Sequence, residues 1–372
     1  MIQQYLFPKF IPLKLTNMKL LKFALVMLMA SSFSFQSQAQ KKGKPEPAKD
    51  KLSISGLKFR NIGPAIASGR IADIAVNPNN PFEYYVAVAS GGVWKTVNAG
   101  TTYIPIFDSQ ASYSIGCVTI DPNNDNVIWV GSGENNNQRS VAYGDGIYKS
   151  EDRGKTWKNV GLKTSEHIAK IIVDPKNSNV IYAASMGPLW SEGGERGVYK
   201  SVDGGANWTQ SLKIDKHTGV SDLIMDPRNP NILYAAAQQR RRHVFTYVGG
   251  GPGSGMHKSI DGGTTWTKIN SGLPKSMGRI GLAISPANPD YIYAVVEAAD
   301  GKGGTFRTTN GGTSWNKRGS YKSSGNYYQE IIADPIEPNT VYSMDTWMKV
   351  SKDGGKTFKN TGEDYKHVDN HS

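Results

Sequence analysis

The chain has 372 residues, 38% hydrophobic and 20% charged, enough apolar material for a large core, which excludes wholesale disorder. Its net charge of +12 is concentrated at the start, where residues 1–51 hold nine lysines and two acids. The dispersed excess of +5 on the remainder is that of an ordinary solvated surface rather than a phosphate-binding stripe, which makes a nucleic-acid reader a distant third reading, and no nucleic-acid partner is expected.

From Met18 the sequence has the form of a secretory signal. Lys19 and Lys22 precede an unbroken apolar run, Phe23–Ala30, and Ser37-Gln38-Ala39 supplies a small-x-small cleavage site. Residues 1–39 are therefore expected to be removed, and residues 40–51, polar and proline-containing, to form a flexible leader. The apolar run is far shorter than the ~20 residues a spanning helix needs, so no membrane span is expected. No cysteine lies at the cleavage point to carry a lipid. The expected location is secreted, periplasmic or cell-surface. The single cysteine, Cys117, excludes an intrachain disulfide and a cysteine-based zinc site.

Residues 52–372 are built from repeats. The pattern Ser/Thr-x-Asp/Asn-x-Gly-x-x-aromatic, an Asp box, recurs at Thr96–Tyr103, Ser150–Trp157, Ser201–Trp208, Ser259–Trp266, Thr308–Trp315 and Ser351–Phe358. An Asp-Pro or similar pair precedes each box, as at Asp121-Pro122 and Asp174-Pro175. Intervals of 43 to 58 residues with strand signals between them indicate a propeller. In the third unit the spacing predicts strands A to D at Ile168–Val173, Val180–Ala184, Gly197–Ser201 and Asn207–Leu212. The box is then the C–D turn: its carboxylate accepts backbone N–H bonds, its glycine takes positive φ, and its aromatic packs over the hairpin.

The expected fold is all-β, a β-propeller of four-stranded Asp-box blades, six complete plus parts of a seventh. Leu57–Ile62 has the pattern of an orphan strand D, and Lys366–Ser372 that of a lone strand A. A ring so framed leaves apolar faces on blades one and six uncovered, giving a monomer or self-association through the incomplete ring. Up-down blades put the A–B and C–D turns on one face and the B–C and D–A connections on the other. Three long B–C loops, Ser132–Gly146, Met186–Gly197 and Gln238–Gly255, therefore share one face, where function is expected.

The segments FRNIGPAIASGRIADIAVNP, GSGENNNQRSVAYGDGIYKS, AAAQQRRRHVFT and HVDNH, together with the boxes, resemble the bacterial branch of the sortilin-like Asp-box (BNR) proteins. These are exported β-propellers often labelled glycosyl hydrolase-like, and the resemblance runs from about Leu57 to Ser372. It implies a propeller without implying one reaction, because Asp boxes also occur in sialidases, xyloglucan-cleaving glycosidases, sortilin and photosystem assembly factors. Compared with the xyloglucan-cleaving proteins, Ala89 stands where their first catalytic aspartate would be, and their second acid belongs to a second propeller. The sialidase motif has only a partial echo in Phe59-Arg60-Asn61-Ile62. No catalytic residue is assigned.

Candidate ligand contacts lie on the long loops. Glu134, with Asn135 and Arg139, either contacts a ligand or orders its own loop by hydrogen bonds. In Arg240-Arg241-Arg242-His243, Arg241 and His243, with Arg196, either clamp an anionic group or form internal pairs. Trp190, with Phe245 and Tyr247, offers a surface for stacking a sugar or gripping a peptide. His367, Asp369 and His371 alternate and would share one face of a strand, but no fourth ligand is evident, so no metal and no cofactor are assigned. The expected function is an exported binding or scaffold module recognising a peptide, protein or glycan on this face. The alternative is a glycoside hydrolase acting on extracellular polysaccharide.

Overall fold

A computed structural model describes residues 69–362 and 368–372. The signal, the leader and Leu57–Ile62 lie outside the described residues. Six four-stranded antiparallel sheets follow one another along the chain, so the fold is a six-bladed β-propeller. Strands A are Ile71–Val76, Ile115–Ile120, Ile168–Asp174, Thr218–Asp226, Met277–Ile284 and Ile331–Ala333. Strands B are Tyr84–Val88, Ile128–Ser132, Asn177–Ser185, Asn229–Gln239, Ile292–Ala298 and Val341–Ser343. Strands C are Gly92–Thr96, Ile147–Ser150, Gly197–Ser201, Gly255–Ser259, Gly304–Thr308 and Lys349–Ser351. Short strands D, from Ile104–Pro105 to Lys359–Asn360, complete the blades. Among the described residues no helix is long and apolar enough to cross a membrane.

The repeated turn joins strands C and D in every blade. In blade 2, Asp152 Oδ1 accepts from Ser150 Oγ and Thr156 N, both at 2.8 Å, while Oδ2 accepts from Thr156 Oγ1 at 2.6 Å. Bonds to the charged form, the Thr156 hydroxyl foremost, hold Asp152 down to about 2. The turn glycine takes positive φ in all six blades, 87° at Gly154 and 90° at Gly205, a conformation that costs glycine nothing. The aromatic that ends the turn reaches further than its own hairpin. Trp157, Trp208 and Trp315 donate their indole N–H to Ile106, Val160 and Ile269 carbonyls of the preceding blade at 2.7, 2.9 and 3.0 Å. The repeat therefore staples neighbouring blades together as well as closing a turn.

Between blades, each strand A from blade 2 to blade 5 serves two neighbours. In blade 3, Ile171 and Val173 pack toward blade 2, and Ala169 and Ile172 pack toward blade 4. Five apolar clusters of this kind span the junctions from blades 1–2 to blades 5–6. The strand period of two turns Ile74 and Val76 of blade 1, and Ile332 of blade 6, away from their packed neighbours, and all three are exposed. Contact between blades 6 and 1 is made by polar groups on the loop face: Arg70 Nη1 donates to Tyr327 OH at 2.8 Å and lies over that ring at 4.9 Å. The lone strand A expected over Lys366–Ser372 is not formed in its described part. Val368–Ser372 has no strand and instead folds back on blade 6, with Asp369 N and Asn370 N donating to Thr346 O and Asp345 O.

Two outcomes follow from this packing. Ile171→Ala is expected to cost about 2–5 kcal/mol in chemical denaturation, and Ile74→Ala below about 1 kcal/mol, because only the first opens a cavity between blades. In the repeated turn, Asp152→Asn should retain most stability, since Asn98 fills this place in blade 1 by accepting from Thr96 and Thr102 and donating to the Thr102 hydroxyl. Asp152→Ala should melt lower at pH 7. The Asp152 contribution is complete above its unfolded value of 3.8 and is lost as pH falls through about 2, so the asparagine variant should show a smaller acid-induced drop in Tm.

Candidate functional site

The B–C loop of blade 2 departs from strand B after Ser132 and runs inward across the loop face. Gly133 and Gly144, which begin and end its inward part, pack backbone against backbone: a Cβ on Gly144 would lie 2.3 Å from Gly133 N. The segment Glu134–Asn137 meets four other blades. Glu134 Oε1 accepts two bonds from Arg70, ahead of blade 1, one of them from Nε at 2.7 Å. Its carbonyl accepts His167 Nδ1 of blade 3 at 2.8 Å, which fixes the proton on that nitrogen. From blade 4, Arg240 Nη1 donates to Asn136 O and Asn137 Oδ1, and Arg242 Nε donates to Asn137 O at 2.6 Å. Toward blade 6, Asn137 N and Nδ2 donate to Asn326 O and Gly325 O, and Asn135 Nδ2 reaches Glu330 Oε1 at 3.3 Å. The loop is a plug over the inner end of the blades.

The expected contact residues separate into two groups around this plug. Glu134 is buried, and its partner is Arg70 rather than the sequence neighbour Arg139. Arg196 is buried and organises the blade 3 loop, donating to Gly193, Met186, Pro188 and Ser191 carbonyls. Burial lowers Arg196 to about 10, still cationic at neutral pH. Asn135 is half-buried and Arg139 is exposed. Arg241 is half-buried and His243 exposed on a small hairpin, Arg241–Arg242 paired with Tyr247–Val248, whose tip carries Phe245 at 90% exposure. Trp190 lies on the neighbouring loop, tied to that hairpin by Arg242 N to Leu189 O at 2.9 Å, and is 44% exposed. The arginine run is thus divided, with Arg240 and Arg242 spent on the plug.

His371 and Asp369 share no strand. His371 packs on the rings of Tyr327 and Tyr328 at 4.6 and 4.8 Å, and Asp369 accepts from the Tyr328 hydroxyl. Burial lowers His371 to about 4, so it is neutral. Among the described residues no group of three or more His, Cys, Asp or Glu side chains is placed to hold a metal ion. His367 lies outside them.

A second polar cluster escaped the sequence reading. Asp73, Lys170, Asp222, Arg279 and Glu330 line a cavity of about 270 Å³ at the inner strands. The two aspartates accept the backbone N–H of the next blade's strand A, Val118 N at 3.1 Å and Leu282 N at 2.7 Å. The signal was available for two of them: Asp73 and Lys170 are charged residues in the middle of apolar runs of strand A, IADIAV and IAKIIVD, whereas Glu330 immediately precedes its strand. Burial pushes Glu330 up to about 7, against the pull of Lys170, while Asp73 foremost raises Lys170.

No family model matches the chain. A xyloglucanase of a Paenibacillus species is 22% identical over 338 residues, covering 81% of this chain and 32% of its own length. Xyloglucanase Xgh74A of Acetivibrio thermocellus is 23% identical over 349 residues, covering 82% and 40%. The chain thus spans well under half the length of these relatives. Among solved structures, the GH74 xyloglucanase of Xanthomonas campestris aligns with a TM-score of 0.56 at 16% identity, over 77% of this chain and 45% of the other. The Niastella koreensis GH74 enzyme aligns at 0.54 and 15%, over 80% and 60%. At these identities the structural likeness establishes the propeller fold alone.

The cavity carries a pH signature. Below pH 4.5 Glu330 is protonated in both folded and unfolded chains; between 4.5 and about 7 only the folded protein keeps the proton. Stability is therefore lost as pH rises through that window. The urea midpoint should fall between pH 5 and pH 8, and the fall should shrink in Glu330→Gln, with Asp73, Asp222, Lys170 and Arg279 still facing the site.

Proposed function

We propose that this chain is an exported glycan-directed propeller of the glycoside-hydrolase kind, acting on β-linked extracellular polysaccharide with xyloglucan as its type substrate. The observation that carries the reading is that proteins named xyloglucanase match most of the chain in sequence, over 81% and 82% of it in two cases. The glycan would lie on the long-loop face. There Trp190 and Phe245 offer stacking surfaces, and Arg139, Arg241 and His243 offer donors to hydroxyls. Ala89 is buried at the B–C junction of blade 1 and leaves that junction without a carboxylate of its own. Asp108, exposed on the connection from strand D of blade 1 to strand A of blade 2 and close to Gly92, is the acid that this reading assigns there. The Asp boxes support the wider sortilin-like resemblance, and the signal sequence supports export.

A binding module that holds the glycan without cleaving it is the second reading. The specific observation in its favour is that Glu134, the carboxylate most prominent in the sequence, is sealed against Arg70. The purified protein should be retarded by xyloglucan in affinity electrophoresis and should release new reducing ends from it, with Asp108→Asn reducing the release while keeping the retardation. Retardation without reducing ends would select the binding module. A protein neither retarded nor active on xyloglucan, other β-glucans or mannan would overturn the glycan assignment.

A further inference from the structure

On the loop face between blades 1 and 2 lies a cleft of about 340 Å³ that none of the expected contact residues enters. Its lining is Ala111, Ser112, Tyr113, Ala142, Tyr143, Gly144 and Asp145. We propose that this cleft is a stacking site for a neutral pyranose ring of a polysaccharide chain, with Tyr113 and Tyr143 as its two aromatic surfaces and Asp145 as hydroxyl acceptor. The inference rests on the glycan-directed reading above and names a site for it.

Four observations carry it. The tyrosines are 64% and 73% exposed, so neither ring is spent on the core, although other rings of these two blades, Tyr85, Phe107 and Tyr148, are buried. Exposed rings flanking one cleft supply flat apolar surface with a polar edge, which suits the C–H faces and equatorial hydroxyls of a sugar. The backbone under both rings is pinned. Gly92 N donates to Tyr113 O at 2.9 Å, Ser114 Oγ and Glu134 N donate to Ala142 O, and Gly144 N donates to Glu166 O at 2.7 Å. A site held this way loses little conformational freedom on binding.

The floor is made of small side chains, Ala111, Ser112, Ala142 and Gly144, which leave room for a ring between the tyrosines. The charge selects the ligand. Asp145 is the only charged side chain in the lining, so phosphates, nucleic acids and acidic glycans meet repulsion. Asp145 Oδ1 and Oδ2 accept from Ser132 Oγ at 3.2 Å and Tyr148 OH at 2.6 Å. A carboxylate has about four acceptor positions, so lone pairs remain for sugar hydroxyls. A neutral polyol is the chemistry that fits both the rings and the single acceptor.

The test measures affinity of the whole chain for xyloglucan and for cello-oligosaccharides, with polygalacturonate as an acidic probe. Tyr113→Ala and Tyr143→Ala should each weaken binding about five- to tenfold, and Tyr113→Phe and Tyr143→Phe should stay near wild type, because the ring face rather than the hydroxyl does the stacking. Polygalacturonate should bind more weakly than the neutral glycans. Circular dichroism and Tm of each variant should match wild type, since both rings are exposed. If the wild type binds the neutral glycans and both alanine variants bind them equally well, the cleft is not the site and the glycan reading stands without it. If the wild type binds none of them, the reading and the site fall together. Preferential binding of the acidic probe would overturn the site by its charge.

Discussion

A four-residue stretch of polar chain, Glu134–Asn137, has to satisfy its backbone and side chains where the inner ends of the blades converge. Glycine and asparagine allow the loop to enter, and arginines meet it: Arg70 from blade 1, Arg240 and Arg242 from blade 4. Buried guanidinium groups are costly unless every donor faces an acceptor. Acceptors on the plug and the Gly187 carbonyl take bonds from both Arg240 Nη atoms and from Arg242 Nε, leaving Arg240 Nε unpaired among the described residues, and the loop face takes its shape from that exchange. The long loops of blades 3 and 4 are ordered against the same centre, so the exposed surface of this face consists of what the plug leaves over.

Below the plug the physics is repetitive. One turn, with its acid or amide, its glycine and its aromatic, closes each hairpin, its tryptophan reaches the preceding blade in blades 2 to 5, and one apolar layer fills each junction from blade 1 to blade 6. Local hydrogen bonding and long-range packing are coupled through a single side chain, the tryptophan. Phe358 of blade 6 has no N–H to donate and stacks on Tyr321 instead, at 4.1 Å between centroids. Tyr103 of blade 1 bonds within its own blade to Tyr84 and remains exposed. The blade at each end of the row is thus the one that departs from the shared staple.

Charge is sorted by depth. Carboxylates in the repeated turns lie at the surface, half-buried or exposed, and are held below their ordinary value by local donors, whereas those at the inner strands are raised by burial and balanced by Lys170 and Arg279. The loop face between these extremes carries aromatic rings with few ion pairs, a surface suited to a neutral ligand.

The fold was legible because it is written locally. A box every 43 to 58 residues and alternating Val, Ile and Tyr between turns determine strands whose partners are next in sequence, and the expected ends of Ile168–Val173 and Gly197–Ser201 differ from the observed ones by at most one residue. The position of the three long loops on one face followed from the same up-down order. What only the tertiary structure decided is which side chains meet across blades. Glu134 and Arg70 are 64 residues apart, and Arg240 and Asn137 are 103 apart, so neither pairing leaves a trace in local pattern. Neither does the division of an arginine run into buried and exposed members, nor the placing of Tyr113 and Tyr143 on one cleft, because each depends on how closely packed sheets bring distant loops together. Periodicity encodes the blade; the site is encoded in the contacts between blades.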